Sequence, residues 1–146
     1  MRNRTLEWIL VCVQAGTIGY LVLDTSWRAL PGWAVAITIA SGSLATWAIL
    51  TMKLDNLRIS PAPGDQARLV VNGPYRLIRH PMYTSLLILA VPLLIDQFSL
   101  IRLAVSIVMF LDLLIKMQVE ERLLLRKFPE YAGYLGKTWR IVPYLW

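Results

Sequence analysis

The sequence predicts an all-α integral-membrane fold of about four transmembrane helices, the last two forming a C-terminal helical hairpin. Three observations carry that prediction. Apolar residues make up 57% of the 146 positions and mean hydropathy is +0.55, above the roughly 45–50% apolar content of soluble domains. The apolar residues gather in long runs separated by short, turn-rich polar stretches. The basic residues fall almost entirely on one side of the topology those runs define.

Taken in order, residues 6–23 form the first run. As a helix it would be about 27 Å long, near the roughly 30 Å thickness of a bilayer's hydrocarbon core. A signal peptide is the competing reading, since Arg2 and Arg4 precede the run. The run's length and the lack of a small-residue cleavage site favour a spanning helix. Residues 24–32 (DTSWRALPG) are a connection punctuated by Pro31 and Gly32. Residues 33–52 are a second run of spanning length, in which Ala36, Ala40, Ser41, Gly42 and Ser43 would let a neighbouring helix approach closely.

Residues 53–80 are the longest polar stretch. Pro61, Pro63, Gly64, Gly73 and Pro74 prevent one continuous helix there, and a short strand over 68–71 is weakly indicated. Pro81 suits the first turn of a third helix, where its missing N–H costs nothing. That helix runs over about 81–95, is interrupted by Pro92 and is short for a full span. Asp96 and Gln97 make a polar turn. A fourth helix covers about 100–127; as far as Val119 it is apolar except for Arg102, Asp112, Lys116 and a few uncharged polar residues. The whole, 1–146, is the size of a single domain.

With the amino terminus in the cytoplasm, thirteen of the fifteen basic residues lie inside, and only Arg28 and Arg102 lie outside. Both termini and the polar segments 72–83 and 120–143 then face the cytoplasm. Basic residues set between apolar runs argue against nucleic-acid binding, which needs them on an exposed face. One cysteine, Cys12, and one histidine, His80, exclude an internal disulfide and a His/Cys metal site. Nothing in the sequence sets the oligomeric state.

Candidate chemistry concentrates in two places. Residues 72–83 (NGPYRLIRHPMY) put the one histidine, two arginines and two tyrosines just before a helix start. A helix start offers unpaired N–H groups and partial positive charge to a carboxylate or phosphate. Turn formation and membrane anchoring would explain the same residues without a ligand, and His80 could serve only as a helix cap. The second place is the adjacent pair Glu120 and Glu121. On a helix they project about 100° apart, so they are not expected to share a partner. They suit a cation or hydroxyl-rich ligand, or else a surface pair bridged to Arg122 or Arg126. A zwitterion carrying a sugar would match both places. Asp112, Lys116 and Glu120 share a helix face at spacings of four and read as a self-neutralising ladder. Tyr131, Tyr134, Trp139, Tyr144 and Trp146 read first as interfacial anchors.

The ordered set Gly73-Pro74-Tyr75-Arg76, Arg79-His80-Pro81-Met82-Tyr83, Glu120-Glu121-Arg122, Phe128-Pro129-Glu130-Tyr131 with Tyr134, and Arg140-Ile141-Val142-Pro143 resembles the isoprenylcysteine carboxyl methyltransferases. More distantly it resembles the phospholipid (phosphatidylethanolamine) N-methyltransferases. The likeness covers about residues 72–143, half the chain, while the first two helices share only hydrophobicity. Pro129 departs from the pattern, where members often carry glycine. The resemblance implies S-adenosyl-L-methionine in a cytosolic pocket, contacted by Gly73, Tyr75, Arg76, Arg79, His80, Pro81, Tyr83, Glu120 and Glu121. It implies a lipid or prenylated substrate entering from the bilayer, with Arg140 and Tyr131 toward that substrate and Arg140 and Glu121 in catalytic roles. The strand–GxGxG–helix pattern of soluble cofactor-binding folds is missing from the sequence.

For a carboxylate acceptor no base is required, and Arg140 is the first choice to orient it through a bidentate guanidinium, with Arg76 and Arg79 next. An amine acceptor would need a base such as Glu121 or His80. Two further readings compete. One is an NADPH-dependent membrane isoprenoid or sterol reductase, for which the chain has little room. The other is a non-catalytic membrane scaffold, whose motifs would be broken where these are intact.

Overall fold

In the computed structural model, residues 4–52 and 68–144 are described. The polar stretch from Lys53 to Ala67, with its Pro61, Pro63 and Gly64, lies outside them, as does Trp146. Among the described residues the fold is all-helical. The elements are α1 Arg4–Leu23, α2 Gly32–Met52, α3 Pro81–Asp96, α4 Leu100–Lys127 and the short α5 Tyr131–Leu135. Short 3-10 turns lie at Trp27–Ala29 and Gly73–Arg76. Residues 68–71 form no strand; among the described residues the one extended pairing is an isolated parallel bridge between Ile78 and Trp139.

Two helices, Thr5–Leu23 and Gly32–Met52, are long and apolar enough to cross a membrane, and only 17% and 11% of those windows are buried inside the protein. A soluble core helix of such composition would be buried, so these faces suit lipid. The third helix is a shorter apolar helix, and the fourth carries Arg102, Asp112 and Lys116 along its length.

α2 packs on α3 through Ala34, Ser41 and Ala48, all buried and spaced seven apart. Of the small residues expected to mediate that approach, only Ser41 does so; Ala36, Ala40, Gly42 and Ser43 are exposed. A seven-residue repeat keeps one face in register with a neighbour, whereas consecutive small residues point around the helix. Ser41 Oγ also donates to the Ser85 carbonyl at 2.7 Å. α3 passes through Pro92 without a break. Buried packing holds the helix where its N–H is lost, a tolerance found in membrane helices. An apolar core cluster, Leu21, Ala90, Leu93, Met109 and Leu113, joins α1, α3 and α4.

The hairpin tip is tied to the α1–α2 connection. Arg102, 2% exposed, donates from Nε to Asp24 Oδ2 at 2.9 Å. Its Nη1 donates to the Leu93 carbonyl, in the last turn of α3, at 2.6 Å. The Ser26 N–H donates to Gln97 Oε1 at 3.2 Å. The α3–α4 tip is therefore level with the C-terminal end of α1.

Candidate functional site

At the other end of the bundle, a short ladder joins the two segments singled out in the sequence. The Arg79 N–H donates to the Trp139 carbonyl at 2.7 Å, the His80 N–H to the Arg140 carbonyl at 3.2 Å, and the Trp139 N–H to the Leu77 carbonyl at 3.0 Å. Thr84 Oγ1 adds a bond to the Ile141 carbonyl at 3.1 Å. Residues 139–141 thus run beside 77–80, directly over the start of α3.

Gly73 makes this turn possible. Its φ is +56°, and a Cβ there would lie 2.6 Å from Thr51 Oγ1 at the end of α2. Both facts demand glycine. Tyr75, next but one, is buried; its hydroxyl lies 3.9 Å from Met52 Sδ, and its carbonyl accepts from the Tyr134 hydroxyl. Pro81 opens α3 and is buried.

Glu121 is the centre of an ionic clasp. It sits beyond Val119, past the apolar part of α4, and is 6% exposed. Its Oε1 accepts from Arg79 Nε at 3.0 Å, from His80 Nε2 at 3.2 Å and from Arg140 Nε at 3.2 Å. Its Oε2 is paired with Arg140 Nη2. Arg79 also donates to the carbonyls of Leu135, at 3.1 Å, and Thr138, so it binds the end of α5 into the same knot. Burial by itself would raise the Glu121 carboxyl, but the bonds from His80, Arg140 and Arg79 outweigh it and hold the pKa at about 2.

His80 stands at the N-cap of α3, yet its ring makes no capping bond. Its ring lies between the two glutamates instead, with Nε2 facing Glu121 and Nδ1 3.6 Å from Glu120 Oε2. The expectation that adjacent carboxylates cannot share a partner fails, because imidazole has nitrogens on two edges and straddles the 100° between them. Burial pulls the His80 pKa down, but hydrogen bonds to Glu120 and Glu121 outweigh it and raise the net value. Tyr83 stacks on His80 with centroids 5.4 Å apart and donates to Glu120 Oε2 at 3.1 Å. The side chain of Glu120, 25% exposed, is the more open of the pair. The surface-pair alternative also fails: Glu121 finds its cations on other segments, while Arg122 and Arg126 are exposed.

Tyr131 is 2% exposed and packs against Tyr134 with centroids 5.5 Å apart, so it is not an interfacial anchor. Trp139 and Tyr144 do pair at the surface. Burial raises the phenols of Tyr75 and Tyr131, and takes that of Tyr134 up to about 12. All three remain neutral hydroxyls near neutral pH. Arg76 is exposed and lies outside the clasp.

The expected Asp112–Lys116–Glu120 ladder makes no hydrogen bond or close ion pair, although Lys116 feels the charge of both carboxylates. Lys116 Nζ donates across to Gln14 Oε1 on α1, and both Asp112 carboxyl oxygens lack hydrogen-bond partners. The reason is packing: Lys116 is buried against α1, where an amide is within reach. Gln14 was legible as a lone amide in an apolar run. Thr138 and the carbonyls of 139–141 had no signal, because backbone groups carry none.

An all-helical chain with two membrane-length apolar helices and a buried ionic clasp at one end is, in class, an integral-membrane protein with a polar site at its helix ends. The chain belongs to the isoprenylcysteine carboxyl methyltransferase family, whose model matches residues 34–126; it is thus a member of a methyltransferase family. The match takes in α2, which had shown likeness only in hydrophobicity. It includes the Gly73, Arg79-His80-Pro81 and Glu120-Glu121 elements and ends before Phe128. No curated protein and no solved structure matches the chain.

Proposed function

We propose that the chain is an S-adenosyl-L-methionine-dependent carboxyl O-methyltransferase acting on an isoprenylcysteine-type group at the cytoplasmic face of a membrane. The observation that carries this reading is the convergence of Arg79, His80, Glu120, Glu121 and Arg140 at one end of the helices. When bound, S-adenosyl-L-methionine supplies an electrophilic methyl on a sulfonium, with a neutral thioether as leaving group.

The residues suit a zwitterion with a sugar. The half-open Glu120 carboxylate suits an ammonium or ribose hydroxyls, and the start of α3 at Pro81 suits a carboxylate. Gly73, Tyr75, Arg76 and Tyr83 border the same end of α3, although Gly73 is already accounted for by its turn. Glu121 holds the clasp together. Because its carboxylate is stabilised so strongly, it is a poor general base. That favours a carboxylate acceptor, which needs no base, over a phospholipid amine. Arg140, whose guanidinium can hold a carboxylate bidentately, is the residue we assign to orient the acceptor, with Tyr131 toward the same substrate.

In this reading all four long helices span, and both termini lie in the cytoplasm. The level of the hairpin tip with the α1–α2 connection supports the span. The test is incubation of the detergent-solubilised protein with methyl-labelled S-adenosyl-L-methionine and membrane lipid extract. Base-labile label in the lipid fraction is expected. Base-stable label would mean an amine or carbon acceptor, and no labelled lipid would overturn the reading.

A further inference from the structure

One exposed stripe runs the length of α4. Val108, Leu111 and Ile115 lie on it, followed at spacings of three and four by Gln118, Arg122 and Arg126, all exposed. Positions so spaced share one side of a helix. The stripe is therefore apolar along the bundle and doubly basic at its end. Glu121, about 100° around the helix from Arg122, is buried and taken up by Arg79, His80 and Arg140.

Arg122 and Arg126 are four apart and alike in charge, a mildly destabilising arrangement. No carboxylate at helical spacing offsets it. Gln118 and Val119 precede Arg122 by four and three positions, and Leu125 and Arg126 follow it by three and four. Neither guanidinium has a hydrogen bond or ion pair among the described residues. Arg126 lies in the last turn of α4, where the helix dipole favours a cation. Arg122 comes before that turn, so the dipole does not account for it.

Depth points to the missing counter-charge. α4 begins at Leu100, at the hairpin tip. A rise of 1.5 Å per residue puts Arg122 about 33 Å and Arg126 about 39 Å along the axis from there. The hydrocarbon core is about 30 Å thick, and polar headgroups add about 5–8 Å on each side. In a spanning α4 the two arginines thus flank the headgroup layer, on the side of the helix that meets lipid. Leu125, exposed between them, offers an apolar contact beside the pair.

We propose that Arg122 and Arg126 form a binding site for the phosphate of an anionic phospholipid seated against the lipid-facing side of α4. Two guanidiniums on Cβ atoms about 5–6 Å apart can each fork onto one phosphate. A zwitterionic lipid carries its own ammonium beside the phosphate and fits a doubly basic pair less well. The bound lipid relieves the repulsion between the arginines and steadies the end of α4 that carries Glu120 and Glu121. The inference rests on α4 spanning the membrane and is independent of the methyl acceptor.

The test uses the full chain in dodecyl maltoside. Tm is followed as palmitoyl-oleoyl phosphatidylglycerol, or phosphatidylcholine with the same chains, is titrated in. A ligand that binds the folded state raises Tm. Phosphatidylglycerol is expected to raise it in the wild type, and phosphatidylcholine much less. Arg122→Gln with Arg126→Gln should need at least about tenfold more phosphatidylglycerol for the same rise, since each basic residue near an anionic surface contributes about fivefold. Either single variant should need about fivefold more, and serves if the double variant does not fold. Arg28→Gln with Lys137→Gln removes two exposed charges elsewhere and should respond as the wild type does. No rise with phosphatidylglycerol, or an equal rise with phosphatidylcholine or with inorganic phosphate at the same concentration, overturns the lipid site. So does an unchanged response in the arginine variants, or an equal loss in the Arg28 and Lys137 control. None of these readouts involves methyl transfer, so either reading can fail without the other.

Discussion

Glu121 takes hydrogen bonds from three side chains, and its titration and that of His80 run in opposite directions. The Glu121 carboxyl is held at about 2 against an ordinary 4.5. Its stabilising contribution is complete above pH 4.5 and is lost as pH falls through the lower value. His80 is raised above its ordinary 6.5, so its contribution is complete below pH 6.5 and is lost as pH rises through the folded value. Tm in detergent should therefore be greatest between these limits and fall on both sides. His80→Gln should flatten the alkaline fall and keep the acid one; a scan across pH on both proteins checks this. Arg140 faces the same carboxylate through two nitrogens. Arg140→Lys keeps the charge and loses the fork, and kcat/KM is expected to drop at least about tenfold.

At the scale of elements, the turn at Gly73–Arg76 joins α2 to the start of α3. Gly73→Ala adds a Cβ at positive φ and against Thr51. The backbone conformation by itself should cost about 1–2 kcal/mol, read as a lower Tm. Thr51→Ala in the same chain removes the two closest atoms and should recover the contact part of that loss, leaving the backbone part. The helices themselves were largely legible: α1, α2, α3 and α4 begin and end within two residues of the apolar runs, because length and punctuation decide them. The packing faces were not. Ala34, Ser41 and Ala48 look no different in sequence from Ala36, Ala40 and Gly42, and only the neighbouring helix distinguishes them.

For the whole molecule, the basic residues favour one orientation, and the ties at Arg102 hold the hairpin tip beside the α1–α2 connection. In a Cys12→Ala background, Phe98→Cys should react with a membrane-impermeant maleimide from outside intact cells. Lys137→Cys should react only after permeabilisation. Labelling of Lys137→Cys in intact cells would reverse the topology, and protection of Phe98→Cys would make the hairpin re-entrant.

Composition, apolar run length and ordered motifs were enough to establish a helical membrane chain and its methyltransferase family, since those properties are local and survive without contacts. Which charges meet was decided only by tertiary structure. Glu121 could have bridged Arg122 on its own helix, and Lys116 could have paired with Asp112. The short ladder of residues 139–141 on 77–80 brought Arg79, His80 and Arg140 to Glu121 instead, and α1 brought Gln14 to Lys116. Spacing limits which neighbours a side chain can reach on its own helix, but burial selects partners across helices, and it left both Asp112 oxygens without a hydrogen bond.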